Sequence, residues 1–125
     1  MKKIRPTYLD LTQIKLPLPG FVSILHRISG VGMYLIGIPF GLYLFQMSLL
    51  SEQEFERFSV LADHWFVKLM FLGLLWAFLH HFCAGIRFLT LDLHMGEDLQ
   101  RARGSSFAVL GVSLVLTVIL GAQLW

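Results

Sequence analysis

Charge is scarce in this sequence. Lysine, arginine, aspartate and glutamate together make up 14% of the 125 residues, where soluble domains carry about a quarter. The formal net charge of +2 is too small for a nucleic-acid-binding surface, and that class is excluded. Cysteine is nearly absent. Cys83 alone rules out an internal disulfide and a multi-cysteine metal site, and its apolar neighbours point to an inert, packed thiol. There is no internal repeat, no low-complexity tract and no Arg- and Ser-rich transit segment. No secretory signal is expected either. Lys2 and Lys3 resemble a positive n-region, but Asp10, Lys15, Pro17 and Pro19 interrupt the stretch where an apolar h-region would stand, and no small-residue cleavage pattern comes after the first apolar run. We therefore expect a chain that is mature from its start and that lies in a bacterial inner membrane.

Apolar surface, by contrast, is abundant: 56% of residues are hydrophobic and the mean hydropathy is +0.70. Crossing the hydrocarbon core takes about 20 apolar residues as a helix. Three stretches qualify, at about 21–50, 65–93 and 107–125. Only helices satisfy their own backbone hydrogen bonds in lipid. The expected fold is thus an all-α membrane protein with three transmembrane helices, forming one membrane-anchor domain over 1–125. Pro39 is expected to bend the first span, and Gly96 to cap the second. Trp65 and Trp125 stand at span ends, where aromatic belts form. The segment through Pro19 reads as extended along the membrane surface.

Orientation comes from the basic residues. Lys2, Lys3, Arg5, Lys15, Arg27, Arg87, Arg101 and Arg103 fall on one side, and only Arg57 and Lys68 on the other. The positive-inside rule then places the N-terminus in the cytoplasm. In the first loop, residues 51–64, Ser51 and Glu54 form a candidate capping box. Phe55, Phe58, Leu61 and Ala62 recur after it at helical spacing, as in a short interfacial helix.

Polar groups inside spans are costly and mark functional sites by default. They are few: Ser23, His26 and Arg27 at the start of the first span, and His80, His81, Arg87 and Asp92 in the second half of the second. Because these two spans run antiparallel, all of them converge on one layer. His81 lies about 9 Å deeper than Arg87 at 1.5 Å per residue. Ser23 and Arg27 are four apart and share a helix face, where a hydroxyl and a guanidinium can hold a carbonyl or a carboxylate. A lone arginine at such a depth reads as snorkelling to the headgroups; beside His26 and opposite His81, a site is the better reading. His81 shares a stripe with Gly73, Ala77, Ala84 and Gly85, a groove that admits a flat macrocycle or another helix. An imidazole in an apolar groove suits a haem ligand, and it equally suits a histidine packed and hydrogen-bonded across helices. Spacing leaves these two readings even. A haem's carboxylates would need neutralising, and His26 and Arg27 are at the right depth. Arg87 is expected to pair with Asp92 or to reach the headgroups. His64 and His94 read as solvated loop residues.

Two motifs then carry a resemblance. Ser23-Ile24-Leu25-His26-Arg27-Ile28-Ser29-Gly30 resembles the S-x-x-H-R-x-(S/T)-G signature of the cytochrome b556 subunits of succinate dehydrogenase. His81-Phe82-Cys83-Ala84-Gly85-Ile86-Arg87, with Asp92 beyond it, is similar to the second signature of that family, H-x-x-x-G-x-R-(x)4-D. Arg5-Pro6 and Leu9-Asp10-Leu11 fit its lead-in, and length and span count agree over the whole chain. The resemblance implies one of two hydrophobic anchors beneath a flavoprotein subunit and an iron–sulfur subunit, embedded in lipid. It implies haem b between the two anchors, with His81 as one axial ligand and the second ligand from the partner. It implies ubiquinone reduction nearby, with Ser23, Arg27 and Asp92 at the quinone site and His26 and Arg27 near the haem propionates. No catalytic acid–base residue is expected here, because succinate oxidation belongs to the flavin-bearing subunit. Relatives with a histidine after the second motif's arginine differ from this chain, which has Phe88. The competing expectations are a fumarate reductase anchor and a haem-free structural anchor. A small multidrug transporter would want a carboxylate near the bilayer centre, which these spans lack.

Overall fold

A computed structural model of the chain describes residues 15–124. Lys2, Lys3, Arg5, Pro6, Leu9, Asp10, Leu11 and Trp125 lie outside them. The described residues are almost entirely helical, with α1 Leu18–Gly32, a π-helical turn Met33–Gly37, α2 Ile38–Leu50, α3 Glu52–Asp63, α4 Trp65–Asp92 and α5 Leu99–Leu124. The continuous stretch Leu18–Leu50, together with α4 and α5, gives three helices long and apolar enough to cross a membrane.

Local chemistry explains each boundary. Pro17 is the N-cap of α1, and Pro19 sits inside its first turn. A proline there gives up only an amide that has no partner in the helix, and its fixed φ already suits one. The helix therefore starts before Pro19, and the segment expected to be extended through Pro19 ends sooner. The expected distortion at Pro39 falls in the turn ahead of it. Pro39 has no N–H and its ring crowds the carbonyl four residues back. Residues 33–37 widen to a π turn, and the Ile38 amide bonds the Met33 carbonyl five residues back.

Ser51 caps α3, its hydroxyl accepting from the Glu54 amide at 3.2 Å, but only this half of the expected capping box forms: the Glu54 carboxylate turns to Arg57 and accepts from it at 2.7 Å. At the far end of α3, Asp63 accepts from Lys68 of α4, and that ammonium holds the Asp63 carboxyl below the usual carboxylate range. His64 does more than sit in solvent: its Nδ1 accepts from the Phe66 amide at 3.3 Å and caps α4. Gly96 does not cap α4. His94 takes the left-handed conformation instead, φ 59°. The His94 amide bonds the Leu91 carbonyl at 2.8 Å and the Met95 amide bonds the Thr90 carbonyl at 3.1 Å, which together make a Schellman ending. Histidine is among the few side chains enriched in that region, and Gly96 comes after it with its own positive φ of 79°. Finally, α5 begins at Leu99, two turns ahead of the apolar run that located the third span. Asp98 caps it, accepting from the Arg101 amide at 2.9 Å.

α4 packs against both α1 and α5, and α1 also meets α5. The core where they cross is small: Val22, Ala84 and Val109, flanked by Cys83, Phe88 and Leu110. Close approach depends on small residues, as in membrane bundles generally. A Cβ on Gly121 would stand 2.5 Å from Leu72 Cδ2. Ser106 and Ser113 are fully buried and donate to their own helix, to the Ala102 and Leu110 carbonyls, so neither hydroxyl is left unpaired against α4.

Candidate functional site

α1 brings Ser23, His26 and Arg27 to the end of the bundle at which α4 presents His81 and Arg87. The two motifs meet directly. His81 Nδ1 lies 2.9 Å from the His26 carbonyl oxygen and 3.3 Å from Ser29 Oγ. The His26 and His81 rings stack with centroids 4.0 Å apart and planes 13° from parallel. Phe88 also meets His26, edge-on with centroids 5.2 Å apart. A carbonyl oxygen can only accept, so the proton of His81 is on Nδ1. That leaves Nε2 with its lone pair, and a backbone carbonyl behind Nδ1 is the usual way a metal-ligating histidine is oriented.

Gly30 makes the approach possible. A Cβ there would stand 2.8 Å from His81 Cε1 and 3.3 Å from Nδ1, closer than real Cβ contacts, so only glycine lets this edge of the imidazole come so near α1. The donor chemistry and this cradle fit a histidine that would hold a haem through Nε2.

His80 is placed differently. It is 0% exposed, tilted against Trp76 with centroids 5.3 Å apart and beside the backbone of Val22. Both its ring nitrogens and Trp76 Nε1 are buried without a hydrogen-bond partner of good geometry among the described residues. Enclosed by its own chain, His80 offers no face to a group held between two subunits, whereas His81 is only half-buried.

Arg27 is exposed and Ser23 half-buried; the guanidinium donates to Ser23 Oγ over a long 3.5 Å. The i, i+4 pair thus forms one hydrogen-bonding patch on α1. Asp92 is exposed at the end of α4 and makes no hydrogen bond or ion pair among the described residues. Arg87 does not pair with Asp92 and does not reach outward. It is 6% exposed, donates from Nε to Ser105 Oγ at 2.9 Å and from Nη2 to the Ala102 carbonyl at 3.4 Å, and lies over the Phe88 ring at 5.3 Å. Its partners come from α5, eighteen and fifteen residues away, so a reading confined to helical neighbours misses them. Ser29 and Gly30 also escape a search for costly polar residues in the spans. Their only signal is their place at the end of the first motif.

The chain matches the family described as succinate dehydrogenase/fumarate reductase transmembrane subunit over residues 1–120. It is 36% identical to the succinate dehydrogenase cytochrome b556 subunit of Coxiella burnetii, covering all of both chains. It is 30% identical to the protein of the same name from Paracoccus denitrificans, covering 92% of this chain and 88% of that one. The Rickettsia felis subunit of that name is 27% identical, over 93% and 90%.

Proposed function

The chain belongs to the succinate dehydrogenase/fumarate reductase transmembrane subunit family, and from that premise we propose that it is the cytochrome b anchor of a bacterial succinate dehydrogenase. It is a multi-pass membrane protein. In this reading the N-terminus faces the cytoplasm of a bacterial inner membrane. The chain pairs with a second hydrophobic anchor, and the two carry an iron–sulfur subunit and a flavoprotein subunit.

The observation that carries the reading is the meeting of the two motifs at His81, with Nδ1 on the His26 carbonyl at 2.9 Å and Nε2 left open. His81 would hold haem b through Nε2, with the partner anchor supplying the other protein ligand. His26 and Arg27 neutralise the propionates. When bound, the haem supplies a one-electron carrier beside the quinone site.

Ser23 and Arg27 receive the quinone. The Ser23 hydroxyl donates to a quinone carbonyl oxygen. The Arg27 guanidinium stabilises the negative charge that develops on that oxygen as electrons arrive, a preorganised donor aimed at the charge of the transition state. The N-terminal end of α1 adds a positive dipole end in the same place. Asp92, exposed at the mouth of α4, stands at the water side of the site.

The test is purification through a tag on this chain, then a reduced-minus-oxidised visible spectrum and identification of the co-purifying subunits. A b-type band together with a flavoprotein and an iron–sulfur protein is the expected result. A complex with those subunits and no haem band would leave a structural anchor with a quinone site only.

A further inference from the structure

Ser29 stands next to last in the first motif, and neither the family resemblance nor the quinone chemistry gives it a task. It is 5% exposed. A serine within a helix commonly bonds a carbonyl one turn back, and Ser29 does so, its hydroxyl donating to the His26 carbonyl at 2.9 Å. That habit alone would be ordinary. The same carbonyl, however, also accepts from His81 Nδ1 at 2.9 Å, and the same hydroxyl oxygen lies 3.3 Å from that nitrogen. The Nδ1–H therefore points between two oxygens of α1, one from the backbone at 26 and one from the side chain at 29. Gly30, the next residue, leaves room for the Cε1 edge of the ring beside them.

We propose that Ser29 is a positioning residue for His81: its hydroxyl and the His26 carbonyl form a two-point clamp on Nδ1–H that fixes both the tautomer and the plane of the imidazole before anything binds Nε2. The inference rests on reading His81 as the haem ligand. A single carbonyl acceptor fixes which nitrogen carries the proton but lets the ring swing about the hydrogen bond. A second oxygen off that axis removes the swing. The hydroxyl suits this because it donates to the carbonyl with its proton and accepts from the imidazole with a lone pair, so neither partner is left unsatisfied. The stacked His26 ring, 13° from parallel, supports the same plane from the side.

The test compares Ser29→Ala, Ser29→Cys and Ser29→Thr in the complete complex, reading haem content and the low-spin haem electron paramagnetic resonance signal, whose g values respond to the orientation of the ligating imidazole plane. His81→Ala is measured in parallel. In Ser29→Ala the expected result is near wild-type haem content with a broadened, shifted highest-g feature. Ser29→Thr, which keeps the hydroxyl, should restore the wild-type signal, and Ser29→Cys should resemble Ser29→Ala. Should Ser29→Ala fail to assemble, the comparison of Cys with Thr decides on the same terms. A wild-type signal in Ser29→Ala or Ser29→Cys overturns the clamp, as does a shift of equal size in Ser29→Thr. If His81→Ala retains a normal haem signal, the ligand assignment itself fails, and that outcome is distinct from a failure of the clamp alone.

Discussion

Three single residues carry most of the proposed site. Arg27 presents a guanidinium at the proposed quinone patch, with Ser23 as its neighbour at 3.5 Å. Losing a charged hydrogen bond removes about 1.5–3 kcal/mol, so Arg27→Ala should lower kcat/KM for quinone by roughly tenfold or more while succinate oxidation with a soluble acceptor is unchanged. Equal loss in both assays would move Arg27 from the quinone to assembly. Gly30 serves by what it lacks. Since a Cβ would stand 2.8 Å from His81 Cε1, Gly30→Ala should push the imidazole off α1 and lower the haem-to-protein ratio of the purified complex; an unchanged ratio would show that the ring has room to move. His81 itself is half legible in the sequence. Spacing places it on a small-residue stripe but leaves ligand and packed histidine even, because a face of α4 cannot say which residue of α1 comes to meet it. The His26 carbonyl that orients the ring is a backbone atom and leaves no mark in a sequence.

At the scale of elements, the three spans are plain in the hydropathy because lipid requires long apolar helices. Their ends are less so. α5 runs two turns past its apolar stretch because Asp98 caps it, and a polar helical turn looks like a loop to any measure of hydropathy. His94 ends α4 where Gly96 is the natural choice on conformational freedom alone. The largest surprise is Arg87, which ties α4 to α5 through Ser105 and the Ala102 carbonyl. A buried guanidinium bonded to neutral groups is a structural strut. Arg87→Met should therefore cost about 1.5–3 kcal/mol for its charged hydrogen bonds, read as a lower melting temperature of the detergent-solubilised complex, with the quinone KM close to wild type. A wild-type melting temperature would mean that the α4–α5 contact is held by the small-residue packing alone.

The whole molecule is a thin bundle. Among the described residues its shared core is little more than Val22, Ala84 and Val109, and large apolar side chains such as Leu35, Leu42, Phe78, Phe82 and Val118 stand more than half exposed. Lipid covers such surface without driving helices together, so three helices with this little interior depend on neighbours for a defined arrangement. Produced without its partner subunits, the chain should insert in the membrane yet show lower protection of its α1 and α4 amides from hydrogen exchange than in the complex. Equal protection would make it a self-sufficient bundle. Haem binding in the proposed complex turns on one histidine of an adjacent pair: His81, half-buried and oriented by α1, against His80, enclosed and without a well-aligned hydrogen bond. The most direct test is the b-type absorbance of complexes carrying His81→Ala or His80→Leu. Loss of the band in His81→Ala with its retention in His80→Leu is the predicted result, and loss in His80→Leu with retention in His81→Ala would contradict it.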